Sequence, residues 1–242
     1  PDRTRRRMRG RYLPPQHGAW GMLLVPYLTG LVAVGFRRPD LTLLVGWLAG
    51  YLLSYYVLLG FKSRRPGRYR EPMVLWSAVA VPAVLATVLA RPAVLVWAPL
   101  YAGLFAVNAW YAYRRRERAF LNDLAAVVQS CSIVFVMATI AGRPPGDALA
   151  VFLLCLAYFT GTVCYVKTMI RERGNVAFRR WSVGYHAVVC ALAWWASPVA
   201  GLFFTLLLFR AAVLPHRPLT PRQVGLGELA LCVLAVPVAA LL

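Results

Sequence analysis

Two cations, Lys167 and Arg171, lie four residues apart near the end of an apolar stretch, so that a helix would carry both on one face. Three more, Arg64, Arg65 and Arg68, lie in an earlier polar segment. Ammonium and guanidinium groups bind phosphate or carboxylate directly, and arginine can do so through two parallel hydrogen bonds. These five residues predict a binding site for an anionic group.

Three side chains could transfer protons in such a site, namely His17, Asp123 and His186. They lie in or beside apolar stretches, where polar and ionisable groups are costly and tend to mark function. Structural roles remain open for all three. His17 could cap the first helix, Asp123 occupies a helix start that favours negative charge, and His186 could be a hydrogen-bonded core histidine.

Amide side chains in the same stretches could complete the site, and we expect four of them to bind substrate: Gln16, Asn108, Asn122 and Gln129. Glu228 is surrounded by apolar residues and needs a partner, such as Arg210 on the preceding helix. Arg210 and Lys167 lie near helix ends, so they could instead extend to lipid headgroups.

The composition identifies a membrane protein. Of 242 residues, 60% are hydrophobic and 14% are charged, against roughly 25% charged in soluble domains. The net charge of +19 is spread over short segments instead of forming one basic face, so we expect anionic lipid headgroups as partners and no nucleic acid. The five cysteines show no metal-binding or disulfide spacing, and we expect neither a metal nor a cofactor.

The apolar stretches predict an all-α, polytopic protein, because backbone groups within a lipid bilayer must be hydrogen-bonded inside the segment. Each stretch is near the roughly 20 residues that cross a bilayer. Together they form one transmembrane domain over residues 1–242. The nine predicted spans are 17–36, 41–61, 73–90, 92–112, 120–141, 147–170, 179–197, 199–215 and 223–242.

The distribution of cations predicts the orientation. Alternate connecting segments carry 23 of the 27 Lys and Arg residues, and cytoplasmic loops hold the excess of these residues. The N-terminus is therefore expected in the cytoplasm and the C-terminus outside. Arginine outnumbers lysine 25 to 2, which indicates a GC-rich bacterial genome and hence the bacterial inner membrane. The polar residues of the spans lie in their cytoplasmic halves, so we expect a cavity that opens inward.

The run from Pro15 to Met22, followed by Pro26, resembles the opening helix of the YwiC-like proteins, a bacterial membrane family without an assigned activity. More distantly, the layout of the chain resembles the UbiA superfamily of intramembrane prenyltransferases. That resemblance implies a UbiA-like bundle of nine helices, with cytoplasmic loops after spans two and six that cap a central cavity.

The chain departs from that superfamily at its metal site. The superfamily carries Asp-rich motifs at the inner ends of spans two and six, which hold Mg²⁺ against a prenyl diphosphate. Here span two ends in residues 54–61 without a carboxylate, and span six ends with Lys167 and Arg171. Because Mg²⁺ requires oxygen ligands, this resemblance does not extend to a metal site.

The leading hypothesis is a cation-lined cavity that faces the cytoplasm and binds an isoprenoid, quinone-like or other lipid with an anionic head. Such a cavity could serve a metal-independent transferase or cyclase. The alternative is a non-catalytic lipid-binding or accessory subunit that has lost the Asp-rich motifs. A secondary transporter is less favoured because no inverted repeat is visible. A heme held by His17 and His186 would require matched depths on facing helices.

Overall fold

The computed structural model describes Tyr12 and residues 18–242, and the described residues form helices and turns without a β-strand. Within them there are ten α-helices: α1 Gly18–Val34, α2 Pro39–Ser63, α3 Arg70–Ala90, α4 Ala98–Tyr113, α5 Phe120–Cys131, α6 Ile133–Ala141, α7 Leu149–Ile170, α8 Val176–Ala196, α9 Pro198–Val213 and α10 Pro221–Ala240. Short 3-10 helices cover Pro66–Tyr69, Pro92–Trp97, Pro145–Ala148 and Leu214–His216.

The helix ends follow from proline and glycine chemistry. Pro39, Pro198 and Pro221 lie at the starts of α2, α9 and α10, where the missing N–H is not needed and the fixed φ suits a helix. Gly35 and Gly174 follow α1 and α7 with φ of 77° and 87°, a left-handed conformation that glycine adopts without steric cost. The predicted boundaries are therefore close to the observed ones.

Seven helical segments of the described chain are long and apolar enough to cross a membrane, by length and composition. They are Pro39–Ser63, Pro66–Ala90, Pro92–Tyr113, Phe120–Ala141, Pro145–Ile170, Pro198–His216 and Pro221–Ala240. The other two predicted spans contain α1, which has 17 residues, and α8, which has 21 and includes two arginines. The prediction of an all-helical, multi-pass membrane protein is confirmed, whereas nine spans and their orientation stay a prediction.

The fifth predicted span is one apolar segment but two helices, since α5 ends at Cys131 and α6 begins at Ile133. At the break, the Phe135 N–H donates to the Ser132 carbonyl at 3.1 Å. Ser130 and Ser132 flank Cys131, and serine hydroxyls compete for backbone groups and bend helices. Hydropathy alone does not reveal this interruption.

The described chain divides into two compact units. The first contains Tyr12, residues 35–130 and residues 136–144, and the second contains residues 18–34, 131–135 and 145–242.

In the first unit, α2 and α3 form an antiparallel pair, and α4 packs against α2. Gly46 on α2 allows close approach, because a Cβ there would lie 3.0 Å from Val84 Cγ2 on α3. Thr42 and Thr87 hydrogen-bond across the same pair at 2.8 Å. The helices are therefore joined by small-residue packing and a polar contact, as is common in membrane proteins.

In the second unit, α8 and α9 form a pair, α1 packs against α10, and α7 contacts α1, α8, α9 and α10. Tyr158 and Tyr165 on α7 are among the largest fully or nearly fully buried side chains of this unit. Gly21 on α1 faces Cys232 on α10, where an added Cβ would lie 2.9 Å from the sulfur. Helix α7 is thus the central element of the second unit.

Candidate functional site

In the first unit, the polar loop after α2 turns sharply at Arg64. Arg64 has a φ of 55°, and its backbone N–H donates to the Phe61 carbonyl at 3.3 Å. Gly60 lies against Pro66, where a Cβ would be 3.4 Å from the proline Cα. This turn brings the basic loop back over the end of its own helix.

Beneath that loop lies a cleft of about 370 Å³, which we call the arginine cleft. Val57, Phe61 and Arg64 come from α2 and the residue after it, Met73 comes from α3, and Tyr113 from the end of α4. The Arg64 guanidinium carbon lies 5.0 Å from the centroid of the Tyr113 ring, within the range of a cation–π contact. The cleft is therefore apolar along its length, with one positioned cation.

The other predicted cations of this loop lie outside the cleft. Arg65 and Arg68 are exposed and do not line it. An adjoining open groove of about 500 Å³ shares Pro66 and Met73 with the arginine cleft and includes Arg70. Of the three predicted cations in this loop, Arg64 lines the arginine cleft, and Arg65 and Arg68 do not.

An ion pair closes the neighbouring loop, residues 114–119. Lys62 pairs with Glu117, and the Arg115 Nε donates to the Lys62 carbonyl at 3.3 Å. Burial raises the pKa of Glu117, but the hydrogen bond and charge of Lys62 outweigh burial, so the pKa lies below its usual range. The Asn122 amide donates to the Glu117 carbonyl at 2.8 Å, so this predicted substrate-binding residue supports the loop.

Two other predicted amides contact each other. The Asn108 amide donates to Gln129 Oε1 at 3.3 Å and to the Leu104 carbonyl at 2.9 Å. The contact between Asn108 and Gln129 joins α4 to α5, and it gives both residues a structural role within the described chain.

Asp123 lies in the first turn of α5, where the helix dipole favours its charge.

In the second unit, four residues from four helices form what we call the buried polar cluster: Thr162, His186, Arg210 and Glu228. Arg210 Nη1 lies 2.5 Å from Glu228 Oε1, and the Thr162 hydroxyl donates to Glu228 Oε2 at 2.9 Å. The Arg210 guanidinium also lies over the Tyr165 ring, 4.3 Å from its centroid. The expected partnership of Glu228 with Arg210 is confirmed.

His186 joins this cluster through Nε2, while Nδ1 bonds to a carbonyl of its own helix. Nδ1 lies 2.7 Å from the Ser182 carbonyl, so it carries the proton, and Nε2 lies 3.5 Å from Arg210 Nη2 as an acceptor. Gly161 on α7 makes room for the ring, since a Cβ there would lie 3.0 Å from His186 Nε2. The histidine is hydrogen-bonded, which is compatible with the structural role left open for it.

Lys167 lies in the last turn of α7, and Arg171 follows the helix with its N–H bonded to the Lys167 carbonyl at 2.9 Å. A pocket of about 90 Å³ on this side is lined by different cations, Arg173, Arg179 and Arg217. The sequence gives no signal for these three, because Arg173 and Arg217 are 44 residues apart and the three show no periodic spacing.

The predicted site residues divide between the units. Gln16 and His17 lie outside the described residues. Arg64, Arg65, Arg68, Asn108, Asn122, Asp123 and Gln129 belong to the first unit, and Lys167, Arg171 and His186 to the second. Among the described residues, no three His, Cys, Asp or Glu side chains are placed to hold a metal ion.

Comparison with known proteins identifies relatives along most of the chain. A family model described as "YwiC-like protein" matches residues 13–138. The chain is 37% identical to the uncharacterized protein YwiC of Bacillus subtilis over 179 residues, which are 73% of this chain and 74% of that one. It is 33% identical to an uncharacterized protein of Haemophilus influenzae over 230 residues, 89% of this chain and 92% of that one. No solved structure gives a significant match. The chain belongs to the YwiC-like family and is a helical protein of membrane type.

Proposed function

We propose that this protein binds an isoprenoid or other lipid with an anionic head in the arginine cleft. The observation that carries the proposal is the position of Arg64, whose guanidinium lies at an otherwise apolar cleft and is held over Tyr113. A cation in this position attracts an anionic head, while Val57, Phe61 and Met73 contact the tail. Arg65 and Arg68, in the same loop as Arg64, add to the local positive potential.

The chemistry of the cleft favours an amphipathic ligand over a soluble anion. An apolar cleft binds a ligand mainly by removing apolar surface from water, at about 25 cal/mol per Å². One guanidinium then provides orientation and head-group preference. A soluble phosphate would leave the apolar lining unoccupied.

The proposal includes the orientation inferred from the cations. With nine spans, the N-terminus in the cytoplasm and the C-terminus outside, residues 62–72 would be cytoplasmic, and the arginine cleft would open to that side of a bacterial inner membrane. A UbiA-like arrangement of the nine helices belongs to the same proposal. The ligand would then enter from the inner leaflet.

A transferase or cyclase reaction would additionally need proton transfer, for which His17, Asp123 and His186 are the proposed groups. No divalent metal would be needed to bind the head, because arginine neutralises an anion directly.

A non-catalytic lipid-binding or accessory subunit is the second candidate. It is favoured by the contact between Asn108 and Gln129, which engages two predicted substrate-binding amides with each other. It is also favoured by the loop hydrogen bond of Asn122. In such a protein, lipid binding would be retained without turnover.

The test is binding of farnesyl phosphate to purified protein in phosphatidylcholine nanodiscs, measured by native mass spectrometry. The variant R64Q/R65Q/R68Q is expected to bind at least about tenfold more weakly, since 1.4 kcal/mol corresponds to tenfold. The matched control R114Q/R116Q/R118Q removes three arginines from another basic loop and is expected to bind as the wild type does. Equal binding by both variants would contradict the proposal.

A substitution in the apolar wall distinguishes the contribution of the ligand's tail to binding from that of its head. Val57→Ser leaves every arginine in place but makes the cleft more polar. We therefore expect it to weaken the binding of farnesyl phosphate more than the binding of a short-chain alkyl phosphate. If the affinities for both ligands fell equally, the tail would not occupy the cleft. Conversion of the bound ligand, followed by mass spectrometry, distinguishes an enzyme from an accessory subunit.

A further inference from the structure

The second unit contains a basic pocket that is separate in sequence from the residues of the arginine cleft. The pocket of about 90 Å³ is lined by Arg173, Arg179 and Arg217. We propose that this pocket, which we call the phosphate pocket, binds a phosphate-type anion, either free or as the head of a lipid.

The three arginines come from three different segments. Arg173 belongs to the turn after α7, Arg179 to the first turn of α8, and Arg217 to the turn after α9. Side chains from separate segments approach a common space from several directions, which suits a tetrahedral oxyanion. Helical periodicity on one segment could not produce this arrangement.

Positive charge exceeds negative charge among the described residues that line the pocket. In the described part of the chain, none of the three forms an ion pair with a carboxylate. Glu172 is the carboxylate among the lining residues, and its Oε2 accepts a hydrogen bond from the Asn175 amide at 2.8 Å. Three guanidinium groups and one carboxylate leave two positive charges, which matches the charge of about −1.5 to −2 on a phosphomonoester at pH 7.

The loop that carries Arg173 is held in place. Asn175 donates to Glu172 and accepts from the Phe178 N–H at 3.1 Å, which caps α8. Gly174 has a φ of 87° and permits the reversal of the chain. A preformed loop binds with less loss of conformational entropy than a mobile one, so the arrangement favours binding.

The size of the pocket argues for a compact group. A volume of about 90 Å³ holds a phosphate but not a prenyl chain or a ring system. The buried floor, Thr168 and Met169, closes the pocket on its inner side. The Thr168 hydroxyl already donates to the Cys164 carbonyl at 2.9 Å, so anion recognition depends on the arginines.

The experiment is isothermal titration calorimetry of the full chain in phosphatidylcholine nanodiscs, with inorganic phosphate as the probe in a phosphate-free buffer. Saturable binding with Kd of about 1 mM or tighter is expected for the wild type. The variant R173Q/R179Q/R217Q is expected to bind at least about a thousandfold more weakly, which leaves no detectable binding, because each of the three arginines contributes roughly tenfold or more through charge-assisted hydrogen bonds.

Two further arms identify the source of the anion. Binding of phosphate in solution supports a free anion, whereas binding only of phosphatidic acid in mixed nanodiscs, lost in the same variant, supports a lipid head. The variant R173K/R179K/R217K keeps the charge and is expected to bind with intermediate affinity, because lysine lacks the bidentate geometry.

The proposal is overturned if neither probe binds the wild type, or if the glutamine variant binds like the wild type. Circular dichroism and size-exclusion chromatography check that each variant is folded. If the glutamine variant is not folded, the lysine variant is the test, and wild-type affinity in that variant would overturn the proposal. The variant R64Q/R65Q/R68Q is expected to retain phosphate binding. Farnesyl phosphate binding by the arginine cleft is measured in the R173Q/R179Q/R217Q background, so that the two proposals can fail independently.

Discussion

Arg210 on α9 and Glu228 on α10 form an ion pair inside the second unit, with side chains only 6% and 12% exposed and the Nη1 and Oε1 atoms 2.5 Å apart. An isolated charge in such a position would be very costly, and each group offsets the cost of the other. Thr162 donates to the second carboxylate oxygen of Glu228. The pair joins two helices that are adjacent in sequence, and Thr162 joins them to α7.

Removal of one charge from this pair is expected to destabilise the protein strongly. Glu228→Gln keeps the shape of the side chain but leaves Arg210 charged and buried. We expect the free energy of unfolding to fall by about 3–5 kcal/mol, measured by titration of the detergent-solubilised protein with sodium dodecyl sulfate and followed by circular dichroism.

The double variant R210M/E228L distinguishes the effect of the unpaired charge on stability from the effect of altered packing. Replacement of a buried ion pair by apolar residues is often neutral or stabilising, so we expect this variant to be more stable than Glu228→Gln alone. Asp147→Asn, at an exposed position, should change stability little. A double variant as unstable as the single one would show that packing, and not the unpaired charge, dominates.

Gly201 on α9 is expected to be intolerant of any side chain. An added Cβ would lie 2.3 Å from Cδ2 of Trp194 on α8 and 2.6 Å from its Cγ. The ring would have to move, which would also break the hydrogen bond from Trp194 Nε1 to the Thr205 hydroxyl. Gly201→Ala should therefore cost about 1–3 kcal/mol in the same unfolding experiment.

Gly184 provides the matched control on the partner helix. A Cβ at Gly184 meets no atom within 4 Å, so Gly184→Ala should be neutral or stabilise its helix by up to about 1 kcal/mol. Trp194→Leu should partly relieve the defect of Gly201→Ala. If alanine at both glycines had the same effect, close packing of α8 and α9 would not be the cause.

The ion pair of Lys62 and Glu117 should make part of the stability depend on pH. Because the pKa of Glu117 is lower in the folded protein than its usual 4.5, the folded state favours the ionised form. Its contribution is present above pH 4.5 and is lost as the pH falls through the folded pKa. Both side chains are partly exposed, so we expect at most about 1 kcal/mol.

The measurement compares the thermal unfolding of the wild type and of Glu117→Gln between pH 7 and pH 3. The difference in Tm should shrink as the pH falls below 4.5. Asp147→Asn, in another loop, is the control for general acid effects. A constant difference across this range would mean that Glu117 contributes through packing alone.

The helices were readily predictable from the sequence because apolar length and proline or glycine turns act locally. Most observed α-helices begin and end within three residues of the predicted spans, and α8 is extended to Val176 by the Asn175 cap. The exceptions are α4, which begins at Ala98 because a 3-10 helix occupies Pro92–Trp97, and the fifth span, which is divided between α5 and α6. The break at Ser132 was missed because hydropathy stays high on both sides of it. The pairing of Glu228 with Arg210 was predictable, since a buried acid needs a cation and the preceding helix carries one.

The sites were less predictable, because their residues are distant in sequence. Arg64 was identified from the basic loop, but its contact with Tyr113 depends on the packing of α4 against α2. Arg173, Arg179 and Arg217 gave no signal until three turns were placed together. Asn108 and Gln129 were expected to bind substrate, and their mutual contact depends on the relative rotation of α4 and α5.

Helix α8 provides the sharpest test of the proposed orientation. It is 21 residues long and carries Arg179 and Arg180 in its first turns, so it is less apolar than the seven segments that meet the criteria for a span. Long arginine side chains can extend to the headgroups while the rest of the helix remains in the hydrocarbon. We therefore expect α8 to cross the membrane, with its start in the cytoplasm and its end outside.

Ala177 and Ala196, both exposed and at opposite ends of α8, are matched positions about 28 Å apart at 1.5 Å per residue. Intact cells that carry Ala177→Cys or Ala196→Cys are treated with a membrane-impermeant maleimide. Cysteine at 196 should react and cysteine at 177 should not, whereas both should react in permeabilised cells. The five native cysteines are buried and should give little background. Equal labelling of the two variants in intact cells would place both ends of α8 on one side, and the predicted nine-span topology would then be wrong.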